Sequence, residues 1–215
     1  MIKIKSILKK IADTMLYNSI KLDLYREKDK YKYINLCSGG IKIPGYFSVD
    51  IKNADLNIDL RTKRLPFRDS SIERLVCISS INYFSKDRAK IIIGDIFHMM
   101  KEGGVVRFAV QDLRKIAEKY IANDRDFFFQ KTESGKQRFR GETPCEMLNN
   151  WFYGGYATAG NNFCKFFYDF ETLALMFTKA GFNEIKQKRY LESDLDTIDK
   201  IDNRPEQMFF LEAKK

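Results

Sequence analysis

Apolar positions in this chain fall into short dense runs separated by longer stretches with a helical period. Tyr33, Ile34 and Leu36 read as a short buried strand, followed by the small-residue turn Cys37-Ser38-Gly39-Gly40. Tyr46 to Asp50 reads as a second strand with a carboxylate at its carboxyl end. Ala54 to Leu60 alternates and predicts a third. Ile72 to Ser79 is apolar throughout from Leu75 to Ile78, the mark of a central strand covered on both faces. Val105 to Val110 predicts another strand, and Phe182 to Tyr190 and Gln207 to Ala213 predict two closing ones. Helical spacing appears in Ile4, Leu8, Ile11, Met15 and Leu16, and again from Asp87 to Lys101, Leu113 to Ile121 and Phe170 to Ala180. Gly103-Gly104 and Gly181 stand where glycine ends a helix. Strands alternating with helices predict an α/β fold.

The link Ile41-Lys42-Ile43-Pro44-Gly45 is too short for a helix. A parallel pair normally needs a crossover of about a dozen residues or more, so the first two strands are either antiparallel or joined by a compressed loop. Ligands in open α/β sheets bind outside the carboxyl ends of the strands. A turn of small residues lets backbone approach a ligand, and a carboxylate one strand over suits the two hydroxyls of a ribose. The pattern therefore predicts a pocket for a nucleoside-containing cofactor. It lacks the GxGxxG turn and helix on which a dinucleotide pyrophosphate rests, which argues against NAD and FAD.

Composition narrows the classes. The chain has 215 residues, 44% of them hydrophobic, enough for one core and consistent with one domain carrying an embellishment. Residues 1–29 are expected to form a helical extension, and residues 30–215 the main domain. No apolar run reaches the length of a membrane span, and the lysine-rich start lacks the apolar block of a signal peptide. Four scattered cysteines without a CxxC pair, and a single histidine, argue against a metal site and for reduced thiols in a cytoplasmic setting. The net charge of +9 comes from 38 basic and 29 acidic residues. Those basic residues are diffuse, whereas a nucleic-acid groove gathers them into a stripe. His98, beside Met99 and Met100 late in a helix, reads as structural.

Residues 123–167 break the alternation. They are rich in aromatic residues and glycine, and an insertion of this length in a compact domain is expected to be functional. Trp151, Tyr153 and Tyr156 offer flat faces with polar tips, suited to sugar rings. Arg138 and Arg140 suit a phosphate. The segment is expected to wall or close the acceptor side of the pocket, or alternatively to pack a small subdomain or a dimer contact.

The ordered series INLCSGG, FSVDI, NIDL, LPFRDSSIERLVCISS, MMKEGGVVRFAVQDL, FYDFETLALMFTKAGF and MFFLEA resembles a class I S-adenosylmethionine-dependent methyltransferase, most closely the small bacterial type-11-like branch. The resemblance spans about residues 33–213. It implies a Rossmann-like, mostly parallel seven-stranded sheet with an antiparallel last strand, helices on both faces, and a parallel first strand pair. It implies S-adenosyl-L-methionine as cofactor. Cys37, Ser38, Gly39 and Gly40 would line its methionine part, Asp50 would take the ribose hydroxyls, and Ile51 would lie on the adenine. Asp59 and Leu60 would sit at the adenine edge, and Ser79 and Ser80 would flank the transferred methyl.

The chain departs from that pattern at three places. Cys37 stands at the first glycine of the turn, Ser79-Ser80-Ile81-Asn82-Tyr83-Phe84 replaces a histidine-bearing segment, and Cys164 stands where a histidine often precedes the KFxYD-like segment. Asp112, at the end of its strand, is then the candidate general base, with helix N-cap as its alternative. The expected activity is methyl transfer to a small polar acceptor, which the resemblance places among sugars, sugar nucleotides or phosphorylated groups of cell-surface polysaccharide synthesis. The alternative is a non-catalytic methyltransferase-like domain that binds cofactor or a protein. The sequence leaves the oligomeric state open.

Overall fold

The computed structural model describes residues 2–26, 31–132, 135–154, 163–196 and 198–215. A long helix α1 (Ile2–Arg26) precedes the short strands β1 (Tyr33–Leu36), β2 (Phe47–Asp50) and β3 (Leu56–Asn57). Then come β4 (Ile72–Ile78), a 3-10 turn (Ile81–Tyr83), α2 (Lys86–Met99), β5 (Met100–Gln111) and α3 (Leu113–Ile121). A one-turn helix α4 (Arg125–Phe128) and α5 (Pro144–Asn149) follow, α5 running into a π turn (Asn150–Gly154). The chain continues with α6 (Phe170–Ala180), β6 (Asn183–Lys188), a 3-10 turn (Ile198–Lys200) and β7 (Met208–Lys214).

The seven strands form one sheet in the order β3-β2-β1-β4-β5-β7-β6. β1 lies parallel to both β2 and β4, and β4 parallel to β5. β7 alone runs against its neighbours β5 and β6. The compressed β1–β2 link thus joins a parallel pair without a crossover helix. The expected strand from Ala54 to Leu60 shrinks to two residues, because the backbone carbonyl of Asp59 accepts from Thr62 and Lys63 and bends the chain into a turn.

One face of the sheet is apolar and helical. Ala89, Ile92, Ile93, Ile96 and Met99 of α2, and Leu173, Met176 and Phe177 of α6, pack against Ile34, Leu36, Leu75, Val106, Phe108 and Leu211. Each of the larger side chains, fully buried, contributes about 1.5–3 kcal/mol. Side chains at positions i, i+3 and i+4 share one helix face, which is why this pattern was readable in α2. α2 ends at Met99, one turn before Gly103-Gly104; those glycines belong to the irregular start of β5, where the register against β4 shifts. α6 does end at Gly181, whose φ of 108° is left-handed and whose missing side chain leaves room for the Phe97 ring. α1 docks on the same core through Tyr17, Ile20 and Leu24. Met15 and Leu16, expected in its buried stripe, are exposed, and the side chains of Ile4, Leu8 and Ile11 lie outside the described residues.

The opposite face is covered differently from the expected helical layer. Leu195, Ile198 and Ile201 from the β6–β7 connection pack with Ile43 and Tyr46 of the β1–β2 link against Tyr33, Val76, Ile78 and Val105. The cause is the short link, which leaves no helix after β1 to cover this side. A third cluster stands apart: Ile116, Phe127, Phe128, Phe139 and Met147, with Trp151 and Leu148 packed on it.

Candidate functional site

The carboxyl ends of β1, β2 and β4 open into a cleft of about 440 Å³. Its floor is the turn after β1. The backbone N–H groups of Cys37 and Ser38 both donate to the Val49 carbonyl (2.7 and 3.3 Å), and Ile41 N–H donates to the Ser38 carbonyl (2.9 Å). The Asn35 side-chain amide closes the turn from below by donating to the Ile41 carbonyl (3.0 Å). Cys37 and Gly39 both take left-handed backbone conformations, with φ of 54° and 60°. Nothing lies within 4 Å of where a side chain at Gly39 would project, so the turn faces open space. Ser38 Oγ is buried without a hydrogen-bond partner, an orphaned polar atom in the cleft wall.

At the end of β2, Asp50 is held from two sides. Gly39 N–H donates to its Oδ2 (2.7 Å) and Ile51 N–H to its Oδ1 (2.5 Å), which ties the carboxylate to the small-residue turn. A carboxylate has about four acceptor positions, so both oxygens keep capacity for a ligand. Ile51, Ile58 and Leu60 supply an apolar slot beside it. Asp59 caps the turn that ended β3: its Oδ1 accepts from Arg61 N–H (2.9 Å), and the Arg61 guanidinium pairs with both carboxylate oxygens (2.9 and 2.8 Å). The Arg61 hydrogen bond is the first cause of its depressed pKa. On the far wall, Ser80 Oγ donates to the carbonyls of Cys37 (3.2 Å) and Ile78 (2.8 Å), while Ser79 Oγ accepts from the Gln111 amide (2.7 Å). The Cys77 thiol lies fully buried, and its hydrogen bond with Cys37, then burial, holds its pKa well above the usual range. Such a thiol is inert as a nucleophile.

Cys37, Ser38, Gly39, Asp50, Ile51, Asp59, Leu60, Ser79 and Ser80 all line this cleft, and Gly40 lies in the same turn. Asp112 does not line it. Its Oδ1 accepts from the N–H groups of Arg114 and Lys115 and caps α3, and burial raises its pKa. Arg138 pairs with Glu206, and Arg140 is exposed, with its carbonyl accepting from Asn150. Trp151 stacks on Phe167 at 6.0 Å, and Tyr153 is exposed. Among the described residues these four do not line the cleft; Tyr156 lies outside the described residues. The segment touches the cleft's border at its end: Lys165 N–H donates to the Asn82 carbonyl (2.8 Å), and the Asn82 amide to Cys164 Sγ (2.8 Å). Tyr83 and Phe84, next to Asn82, are cleft residues. His98 is exposed, its ring edge-on to Phe97.

The sequence reading missed Ile201, Asn203 and Arg204, which wall the cleft from the β6–β7 connection. They sit in a polar stretch with neither period nor motif, and only tertiary contacts bring them across the sheet. Among the described residues there is no cluster of side chains able to hold a metal ion, and no helix long and apolar enough to cross a membrane.

The sequence matches no protein-family model and no curated protein. Solved structures are similar in shape. A chain of the complex between the Haloferax volcanii Trm112 methyltransferase activator and a methyltransferase is 13% identical, with 96% of this chain and 92% of that one covered at a TM-score of 0.50. An S-adenosylmethionine-dependent methyltransferase from Mesorhizobium loti is 12% identical over 92% and 96% of the two chains, with a TM-score of 0.49. One from Archaeoglobus fulgidus is 14% identical over 93% and 94%, with a TM-score of 0.45. At such identities a likeness speaks for architecture alone. Strand order, the single antiparallel strand and the overall likeness agree: the chain has the Rossmann-like class I methyltransferase fold.

Proposed function

We propose that this protein is an S-adenosylmethionine-dependent methyltransferase of the type-11-like branch, working in the cytoplasm on a small polar acceptor. The observation that carries the reading is the joining of Asp50 to the Gly39 turn in one cleft, beside the orphaned Ser38 hydroxyl. The cleft's volume falls within the usual range for small-molecule sites, about 300–1,000 Å³. The residues fit the cofactor chemically. Asp50 offers acceptors to paired ribose hydroxyls, the Ile51–Ile58–Leu60 slot offers an apolar bed for a base, and the open turn admits an amino-acid tail.

When bound, S-adenosylmethionine supplies a methyl group already activated on a sulfonium. What this chain must add is position and exclusion of water. Ser80, tied to the carbonyls of Cys37 and Ile78, locks the β1 turn to the end of β4 and so keeps the two walls at a fixed spacing. Asp112 enters this reading as the α3 cap. An acceptor oxygen that is already anionic needs no base. The acceptor class of sugar, sugar nucleotide or phosphorylated group rests on the sequence resemblance and on the aromatic segment bordering Asn82 and Tyr83.

Calorimetric titration with S-adenosylmethionine and S-adenosylhomocysteine tests the reading. Wild type is expected to bind both. Asp50→Ala is expected to lose on the order of 100-fold in affinity, the loss for a bidentate contact to a charged group. Asp50→Asn, which keeps an acceptor for the Gly39 N–H, separates ribose recognition from turn geometry. A folded Asp50→Ala protein that binds as tightly as wild type overturns the assignment. Binding without transfer to any sugar or sugar phosphate favours the non-catalytic alternative.

A further inference from the structure

We propose that α1 pairs with α1 of a second copy of this chain as a parallel two-stranded coiled coil. The inference is independent of the methyltransferase reading. It starts from the way α1 sits on the domain. Tyr17, Ile20 and Leu24 pack on the sheet core, and the Tyr17 hydroxyl donates to the Arg64 carbonyl (3.1 Å). Each residue turns a helix by about 100°, so these three share one face and Met15, Asn18 and Leu22 lie on the opposite one. Those three are exposed. Met15 at 69% and Leu22 at 51% keep more than half of their apolar surface in water. From Ala12 to Leu16 every residue is exposed, so this stretch of helix has no buried face on the domain. Helices in proteins draw most of their stability from packing an apolar face, which leaves this stretch in need of a partner.

The exposed face has the spacing of a coiled-coil seam. Ile4, Leu8, Ile11, Met15, Asn18 and Leu22 follow one another at intervals of four, three, four, three and four. In heptad letters, Leu8, Met15 and Leu22 stand at a, and Ile4, Ile11 and Asn18 at d. A helix laid on a sheet needs a wider apolar stripe, whereas a strict a/d seam is as narrow as one partner helix. The seam also complements itself. In a parallel pair held in register, Asn18 meets Asn18, and each amide has a donor and an acceptor to offer the other. Sunk into a lipid surface, the same amide would go unmatched at a cost. A single polar residue in the seam fixes register and strand number, which singles out a second copy as the occupant. Tyr17 and Leu24 fall at c and Ile20 at f, on the outside of such a pair. The two domains therefore flank the paired helices, and neither blocks the seam.

Sedimentation equilibrium of the full chain tests the proposal. Wild type is expected to be dimeric. Met15→Asp and Leu22→Asp are each expected to weaken association by about 100-fold or more, because each substitution removes two buried side chains from the pair. Leu16→Asp is the control. Leu16 is 63% exposed on the same helix but falls at b, off the seam, so its substitution is expected to leave association at the wild-type value. Asn18→Leu is expected to tighten association and to admit trimers or tetramers. All four side chains are exposed in the single chain, so the near-ultraviolet dichroism of each variant is expected to match wild type and to report an intact domain. Equal losses for Met15→Asp and Leu16→Asp would overturn the seam and leave only general adhesion of apolar surface. A wild type that stays monomeric at every concentration would overturn the pairing. If that monomer binds vesicles containing anionic lipid and Met15→Asp does not, the face belongs to a membrane instead.

Discussion

Cys37 holds a backbone conformation that suits glycine. Its φ of 54° brings a β-carbon close to the following carbonyl, a strain of roughly 1–2 kcal/mol. Glycine relieves that strain but loses about 0.5–1 kcal/mol more chain entropy on folding. Cys37→Gly is therefore expected to raise stability by up to about 1 kcal/mol, seen as a higher urea midpoint. The same change is expected to keep or raise affinity for S-adenosylhomocysteine, because it clears a side chain from the cleft floor. Lost binding in a folded variant would instead assign the thiol a direct contact. Asp59 shows how one residue serves two purposes, capping the turn after β3 and bordering the slot beside Ile58 and Leu60.

At the scale of elements, α3, α4 and α5 share a small core of their own, with Phe128 at 1% exposure against Phe127, Phe139 and Met147. This favours the subdomain alternative for the aromatic insertion, with its contact to Asn82 as the tie to the cleft. Phe128→Ala is expected to cost about 3–5 kcal/mol, as buried aromatic truncations do. The loss should appear as faster hydrogen exchange confined to residues 113–149, with S-adenosylhomocysteine affinity unchanged. A parallel fall in affinity would make cluster and cleft one cooperative unit. The elements differ in how legible they were. The apolar runs of β4 and β5 and the helical period of α2 announce themselves locally, and so do Ser38, Gly39 and Asp50, which lie within a dozen residues of one another. Arg204 was illegible because its position depends on Arg107 and Asp202, 95 residues apart in sequence. Arg107 itself read as one more residue in a strand.

At the scale of the molecule, the two faces of the sheet are held by different forces. Helices α1, α2 and α6 bring oil-like contacts to one, and the other relies on a connection fastened by buried charge. Arg107→Met leaves Asp202 buried without its cation and strips Glu212 of its closer one, with Lys188 remaining at 3.8 Å, and is expected to cost about 3–5 kcal/mol. Lys90→Met removes the exposed pair with Asp87, which water and salt screen, and is expected to leave the urea midpoint near the wild-type value. Urea unfolding of both variants measures the contrast. Similar midpoints would mean that the buried cluster contributes no more than a surface pair.

The single short link between β1 and β2 also sets an order in time. Asp50 and the Gly39 turn belong to the first quarter of the chain, yet the wall facing them comes from residues 201–204. Contacts of such long sequence separation form slowly, because the entropy of closing the loop must be met before they return anything. As the chain leaves a ribosome, β1, β2 and β4 can pair and α2 can dock while the cleft is still open along one side. Ligand recognition thus matures late, so S-adenosylhomocysteine binding reports the arrival of residues 201–204, where a helical signal reports only the elements before them.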